Sequence, residues 1–166
     1  MPVVYLSLGS NKGNRISYIQ QAASMLSDCS GIKILQTSTF YETEPWGNKN
    51  QNWFLNAVLE AEVEVSPEEL LLICNNVENK LGRNRAQEEH WGERTIDIDI
   101  LFYDNLIINT QNLTIPHSYL HKRAFVLVPL LELIPDFVHP VLKKTMLELH
   151  DELENPECVV LYGTRY

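Results

Sequence analysis

The sequence lacks the features that define several large classes of protein. Its three cysteines are widely spaced and include no Cys-X-X-Cys pair, so neither a disulfide framework nor a zinc site is indicated. The most apolar segment, residues 124–138, is interrupted by prolines and acids, which excludes a transmembrane helix there. The first residues lack the basic region and apolar stretch of a signal peptide. We therefore expect a reduced, cytoplasmic protein with no membrane partner.

The chain also lacks positive charge. Its 22 acidic residues against 13 Lys and Arg give a formal net charge of −9. Because nucleic acids and anionic membranes attract positively charged proteins, we expect neither as a partner. The motif GxxxxGK[ST] is absent, since the glycines of the segment 9–13 have the wrong spacing, and this excludes a P-loop. A phosphate-bearing ligand would then need a local basic cluster or metal ions.

The remaining composition is that of an ordinary globular protein. With 166 residues, 45% of them hydrophobic, the chain can form one compact core, and we expect a single domain over residues 1–166. No apolar stripe is large enough for an obligate interface, so we expect a monomer.

The periodicity of apolar residues predicts the order strand, helix, strand, strand, helix, strand. The predicted elements are strands at 3–10, 32–43, 55–65 and 94–103, and helices at 16–29 and from Pro67 to Gly82, followed by a turn, a short strand and a helix at 125–133. This order is ferredoxin-like, an α+β fold with both helices on one face of an antiparallel sheet. We expect the opposite face to be free for ligands and the C-terminal segment. Two long connections, 44–52 and 83–93, are expected to be functional, whereas the segment after Pro140 shows no recognisable chemistry.

Two carboxylates alternate with isoleucines in the last predicted strand. Asp97 and Asp99 share one face of the strand, roughly 6.5–7 Å apart at Cα, while the isoleucines face the core. Such a pair repels unless a cation lies between the charges, and hard oxygen ligands suit Mg²⁺. The alternative interpretation is the solvated face of a strand.

A basic cluster precedes this acid pair. Three of the six arginines (Arg83, Arg85 and Arg94) lie within residues 81–94 of a chain that is otherwise acidic. Arginine forks match phosphate oxygens, so the cluster favours a site for a metal-bound polyphosphate. Alternatively, these arginines could pair with the glutamates of the same loop, which would stabilise the fold by only about 0–1 kcal/mol per pair.

The twelve residues HWGERTIDIDIL at 90–101 resemble the defining motif of the 6-hydroxymethyl-7,8-dihydropterin pyrophosphokinase family. Nearly the whole chain shares the resemblance, which is carried by LGSN at 8–11, YETEPWG at 41–47, FLNA at 54–57, Glu78 with Gly82 and Arg83, IPH at 115–117 and RAFVL at 123–127. It implies transfer of a pyrophosphoryl group from ATP to the pterin hydroxymethyl oxygen, with release of AMP, in folate biosynthesis.

The resemblance also implies roles for the charged residues. Asp97 and Asp99 would hold two Mg²⁺ ions on the ATP phosphates. Arg83 and Arg94 would brace those phosphates, with help from Arg85. ATP, the co-substrate, would contact six further residues: Leu71, Asn75, Ile100 and Thr114 around the adenosine, and His117 and Arg123 on the triphosphate. Trp91 would also contact ATP and help exclude water.

The same resemblance implies a pterin pocket. Phe54 and Phe125 would stack on the two faces of the ring, and Asn56 would bind its edge together with groups near Thr43 and Trp46. A flat heterocycle needs aromatic faces and an amide that both donates and accepts. Without the resemblance, Phe125 would be interpreted as a core residue and Asn56 as a surface polar residue.

Four positions depart from the commoner pattern of the family: Glu44, Phe54, Asn112 and Ser118. We expect altered affinity there, not lost activity.

Two other functions stay open on the residues alone. A metal-dependent phosphohydrolase could use the same acids and arginines, and a non-catalytic ferredoxin-like binding module would leave the repulsion between the acids unexplained.

Overall fold

A computed structural model describes residues 1–45, 49–83 and 93–164 of the chain. The strands are Val3–Ser10 (β1), Ile32–Thr37 (β2), Tyr41–Thr43 (β3), Phe54–Val63 (β4), Asp97–Tyr103 (β5), Ile108–Asn109 (β6), Thr114–Ile115 (β7) and Val159–Leu161 (β8). The helices are Arg15–Asp28 (α1), Pro67–Lys80 (α2), Ala124–Leu133 (α3) and Met146–Asp151 (α4), with a 3-10 turn at Leu120–Lys122. No helix within these described ranges has the length and apolar character needed to span a membrane.

One antiparallel sheet contains most of the strands. β1 lies between β4 and β5, and β4 pairs with β3 through its first half and with β2 through its second half. The order β5-β1-β4-β2 is the ferredoxin-like order, so the predicted fold class is confirmed. β8 extends the sheet beyond β3, and β6 and β7 form a separate hairpin.

The two predicted helices cover one face of this sheet. α2 begins with the predicted capping box, in which the Ser66 hydroxyl accepts from the backbone N–H of Glu69 and the Glu69 carboxylate accepts from that of Ser66. Gly82 follows the helix with a φ of +85°, a left-handed conformation that favours glycine. The buried residues of α1 and α2 form one apolar core with one face of β1, β4 and β5.

The C-terminal part of the chain covers much of the opposite face, as expected for the face left free of α1 and α2. α3 and α4 pack there against Tyr5, Val58 and Phe102 in a second core. The alternation in β4 predicted its even positions to face water, and this holds only toward the end of the strand, around Glu60 and Glu62. Among the described residues, α3 and α4 leave uncovered the part of this face near the end of β1, where a ligand could bind.

Three predicted bounds need correction. The strand predicted at 32–43 is two strands, because Ser38 leaves the ladder and its hydroxyl accepts from the backbone N–H of Val58. The last predicted strand begins at Asp97 and not at residue 94, since Arg94 pairs instead with Asn11 beyond the end of β1. The segment after Pro140, for which no element was predicted, contains α4 and β8.

Candidate functional site

The acid pair stands where the sequence predicted it, on the sheet face away from α1 and α2. Asp97 is the cross-strand neighbour of Gly9 and Asp99 that of Ser7, while Ile98 and Ile100 are buried beneath the helices. Both carboxylates therefore face the side of the sheet on which α3 lies.

Two arginines share one of these carboxylates. Arg83 Nη1 donates to Asp97 Oδ1 at 2.7 Å, and Arg94 Nη1 donates to Asp97 Oδ2 at 3.3 Å. The Arg83 side chain is only 4% exposed, so its charge acts where water screens it little. The structure thus joins Arg83, Arg94 and Asp97, whereas Arg85 lies outside the described residues.

Glu78, at the end of α2, orients this cluster and received no role from the sequence. Its Oε2 accepts from Arg83 Nη1 at 2.7 Å and from the backbone N–H of Ile98 at 2.8 Å, and the residue is 1% exposed. One buried carboxylate therefore fixes both the arginine and the beginning of β5. The sequence offered one signal for this role, since Glu78 occupies a position of α2 where the helical pattern predicts a buried residue.

The second acid of the pair has a perturbed pKa. The pKa of Asp99 is raised to about 7, first because the surrounding protein desolvates the carboxylate and second because Asp97 is negatively charged. The desolvation acts although 34% of the Asp99 side chain is accessible. Burial and the positive charge of Arg123 lower the pKa of His117 to about 4. His117 is therefore neutral at pH 7, and its Nε2 stands 3.9 Å from Asp99 Oδ2, too far for a hydrogen bond.

This arrangement fits a divalent cation of the Mg²⁺ type. The acid pair offers hard oxygen ligands, and burial together with the charge of Asp97 makes an unpartnered carboxylate at Asp99 unfavourable. Within the described ranges no group of three or more His, Cys, Asp or Glu side chains could hold a metal. A site of two carboxylates suits Mg²⁺, because this ion keeps positions for water and phosphate oxygens and seldom takes an all-protein cage.

A row of residues extends from the acid pair across the same sheet face. Asn56 is opposite Gly9 on one side, and Asp97 is opposite Gly9 on the other, so the three residues form one row across the strands. The amide of Asn56 is buried, and its Nδ2 donates to Thr43 Oγ1 at 2.7 Å. This bond turns Oδ1 toward Gly9, where a Cβ would lie only 2.6 Å away.

Gly9 therefore has a role that the sequence did not reveal, since the segment 9–13 was considered only as a P-loop and excluded. The absence of a side chain lets the Asn56 amide approach β1, whereas a Cβ on Gly9 would lie at an ordinary contact distance of 3.7 Å from Phe54 Cδ1. Cross-strand neighbours depend on register, which no local pattern of the sequence encodes.

Phe125 and Arg123 stand at the beginning of α3, the helix that packs on this sheet face. The Arg123 guanidinium carbon lies 5.5 Å from the centroid of the Phe125 ring and 5.4 Å from that of Tyr119. Phe125 is only half-buried, in contrast to the fully packed residues that follow it in α3. The ring thus keeps an accessible part, as a stacking residue requires.

The residues expected around adenosine lie along the β5 edge of the sheet. β5 pairs with β1 alone, and both α2 and β7 pack against it. Leu71 and Asn75 are half-buried on α2, Ile100 is buried in the core, and Thr114 is exposed on β7. Two further predicted residues, Trp46 and Trp91, lie outside the described residues.

Asn11 connects three segments around the site and was also missed. Its Nδ2 donates to Gln51 Oε1 at 3.0 Å and to the backbone oxygen of Asn52 at 3.1 Å. Its Oδ1 accepts from the backbone N–H of Arg94 at 2.9 Å. A single buried amide therefore ties the end of β1 to the connection before β4 and to the arginine beside Asp97.

The fold and these groups define a ferredoxin-like α+β protein with an arginine-braced acid pair, a class suited to phosphate-bearing ligands. The sequence matches the family model described as 7,8-dihydro-6-hydroxymethylpterin-pyrophosphokinase (HPPK) over residues 5–135. The chain belongs to this family. It is accordingly an enzyme of the pyrophosphokinase class, as the resemblance implied.

Similar proteins come from bacteria and fungi. A 2-amino-4-hydroxy-6-hydroxymethyldihydropteridine pyrophosphokinase of Aquifex aeolicus is 44% identical over 162 residues, covering 97% of this chain and 99% of that protein. The folic acid synthesis protein fol1 of Schizosaccharomyces pombe is 44% identical over 98% of this chain, which spans only 22% of fol1. A crystal structure of Plasmodium falciparum HPPK-DHPS with pteroate superposes with a TM-score of 0.74 at 19% identity, over 90% of this chain and 42% of that chain, which supports the fold.

Proposed function

We propose that this enzyme transfers the terminal pyrophosphoryl group of ATP to the hydroxymethyl oxygen of 6-hydroxymethyl-7,8-dihydropterin, giving the pterin diphosphate and AMP for folate biosynthesis. The observation that carries the proposal is the row Asp97, Gly9 and Asn56 across three neighbouring strands. Two strand spacings separate the carboxylate from the amide by about 10 Å at Cα. A bicyclic ring bound by Asn56 would direct its hydroxymethyl group toward the acid pair.

The pterin pocket is built from aromatic and amide groups. Asn56 has its Nδ2 committed to Thr43, so its Oδ1 is the atom that would accept from an amino group of the ring. Phe54 and Phe125 would supply the stacking surfaces, with Gly9 leaving the space between β1 and the ring. Trp46 would add a further contact at the ring edge.

Asp97 and Asp99 would hold two Mg²⁺ ions. When bound, these ions would neutralise phosphate charge and act as Lewis acids on the reacting groups. Arg83 and Arg94, both directed at Asp97, would place two guanidinium groups beside the bound polyphosphate. Glu78 would keep the Arg83 guanidinium in position during the reaction.

The triphosphate would extend from the acid pair toward His117 and Arg123. Because His117 is neutral at pH 7, it would act as a hydrogen-bond partner and not as a cation. The adenosine would lie at the β5 edge against Leu71, Asn75, Ile100 and Thr114. Arg85 and Trp91 would complete the phosphate end of the site.

In the transfer, the pterin oxygen forms a bond to the β-phosphorus while the bond from that phosphorus to the bridging oxygen of the α-phosphate breaks. AMP leaves with the bridging oxygen, and the hydroxyl proton is released to solvent. The protein contributes positioning and charge stabilisation, with no covalent intermediate.

In this proposal, residues 1–166 act as a single domain, as a monomer and in the cytoplasm. Two observations support one domain, since both apolar cores are built on the two faces of the same sheet and β8 returns to it. Two relatives named pyrophosphokinases match 97% and 83% of the chain.

The test is ATP-to-AMP conversion with and without 6-hydroxymethyl-7,8-dihydropterin, with EDTA as the control. We expect AMP only when both the pterin and Mg²⁺ are present. Orthophosphate or pyrophosphate release without pterin turnover would identify a phosphohydrolase instead. No product from a folded protein that binds Mg-ATP would identify a non-catalytic binding module.

A further inference from the structure

The C-terminal segment 157–161 is joined to the strand that carries Thr43. β8 pairs with β3, and Val159 is the cross-strand neighbour of Thr43. The pairing continues past the strand, because the backbone N–H of Glu44 donates to the oxygen of Cys158 at 3.1 Å and the N–H of Cys158 donates to Glu44 Oε1 at 2.9 Å. Glu44, a departure from the commoner family pattern, thus has a partner in the tail of this chain.

The same segment reaches the beginning of α3. Glu157 Oε1 accepts from the backbone N–H of Phe125 at 2.9 Å, and Glu157 is only 8% exposed. The residue at the N-cap of α3, Arg123, makes no capping hydrogen bond with its side chain. A carboxylate at this end of a helix satisfies a backbone N–H and interacts favourably with the helix dipole.

We propose that Glu157 is a positioning residue for pterin binding, which ties the backbone of Phe125 to the tail and, through β8, to the strand of Thr43. This inference rests on the proposed function, because it assigns Phe125 and Thr43 to the pterin pocket. The tail then sets the distance between the stacking ring on α3 and the amide edge formed by Asn56 and Thr43.

The charge environment agrees with this assignment. Burial lowers the pKa of Arg123, and Glu157 is among the carboxylates whose negative charge acts in the opposite direction. Glu157 therefore serves two neighbours at the beginning of α3, a backbone N–H and a guanidinium. Two substitutions can separate these effects.

The experiment compares three variants of the full chain. Glu157→Met keeps the buried volume but removes the acceptor for Phe125, whereas Glu157→Gln keeps an acceptor oxygen and removes only the charge. Glu154→Met makes the same substitution at an exposed glutamate of the same tail and is the matched control. For each variant we would measure the KM for pterin, the KM for ATP, the Tm and the hydrogen exchange of the Phe125 amide.

For Glu157→Met we expect a rise of about five- to tenfold in the KM for pterin, the worth of one hydrogen bond, with a KM for ATP within twofold of the wild type. Exchange of the Phe125 amide should be faster. Glu157→Gln should restore both the KM for pterin and the slow exchange, and Glu154→Met should match the wild type.

Equal increases in both KM values, with a lower Tm, would overturn the proposal by showing a purely structural role. Unchanged KM and exchange in Glu157→Met would overturn it as well. If the wild type produced no pterin-dependent AMP, the proposed function itself would fail, and the pterin role of Glu157 with it. That outcome is distinguished from the others because it concerns the wild type alone.

Discussion

Gly9 shows how much the pocket depends on the absence of one methyl group. We expect Gly9→Ala to raise the KM for pterin by at least tenfold, because the new Cβ would lie 2.6 Å from Asn56 Oδ1. Asn56 cannot yield easily, since it is buried and bonded to Thr43. Steady-state kinetics with both substrates would check this, with the KM of the same variant for ATP as the internal control. An unchanged KM for pterin would place the ring elsewhere.

Asp97 is the residue on which the charged groups converge. We expect Asp97→Asn to lower kcat by at least ~10³-fold, because it removes a metal ligand and the anion that orients Arg83 and Arg94. The substitution preserves the shape of the side chain and Arg83 keeps its pair with Glu78, so the variant should remain folded, with a Tm below that of the wild type because an ion pair of the buried Arg83 is lost. Single-turnover measurements of AMP formation would check the loss. Near-normal turnover would refute the metal assignment.

The sequence predicted the acid pair but not the residues that support it. Asp97 and Asp99 alternate with isoleucines, and alternation is a local signal that a strand directly expresses. Gly9, Asn11 and Glu78 act through neighbours that are distant in the sequence, as in the contact of Asn11 with Arg94. Such contacts depend on strand register and loop geometry, which local periodicity does not encode.

At the scale of elements, the connection between α3 and α4 contains an acid-sensitive contact. The Nδ1 of His139 accepts from the backbone N–H groups of Val141 and Leu142 at 3.1 and 3.0 Å, and the residue is 5% exposed. Burial, with the nearby His121, lowers the pKa of His139 from 6.5 to about 4. Because the folded pKa lies below the unfolded one, the stabilisation by neutral His139 is present above pH 6.5 and is lost as the pH falls toward 4.

We therefore expect this contact to make the wild type lose about 2 kcal/mol of its free energy of unfolding between pH 7.5 and pH 5. His139→Asn keeps an acceptor oxygen but cannot be protonated, so its stability should fall less over this range. Urea unfolding at the two pH values would measure the difference. His150→Asn, on α4, is the matched control and should retain the dependence of the wild type. Parallel losses in all three proteins would show that His139 does not contribute.

The elements themselves were predicted to different degrees. α2 was predicted with its capping box and its terminal glycine, because each signal lies within a few residues of the helix end. The break at Ser38 was missed, because it depends on the bond between Ser38 and Val58 across the sheet. β8 was missed because its three residues gain their order from β3 and have no pattern of their own.

At the scale of the whole molecule, a formal charge of −9 surrounds a site that must bind a polyanion. The cations described at the site, Arg83, Arg94 and Arg123, are each buried or half-buried, and the first two are paired with Asp97. ATP without a divalent cation would bring its phosphate charge directly against the carboxylates of Asp97 and Asp99. We therefore expect ATP to bind much more weakly without Mg²⁺ than with it, although the arginines are present in both cases.

This dependence can be measured as thermal stability. A ligand at 100 times its Kd stabilises the folded state by about 2.7 kcal/mol, which corresponds to a rise in Tm of roughly 5–10 °C for a chain of this size. We expect this rise for Mg²⁺ with a non-hydrolysable ATP analogue, and a rise of less than about 2 °C for the analogue in EDTA. In Asp97→Asn the two conditions should differ little, because the metal ligand is lost while the arginines are kept. An equal rise with and without Mg²⁺ in the wild type would show that the arginines bind the nucleotide without the acid pair, and the assignment of Asp97 and Asp99 as metal ligands would be wrong.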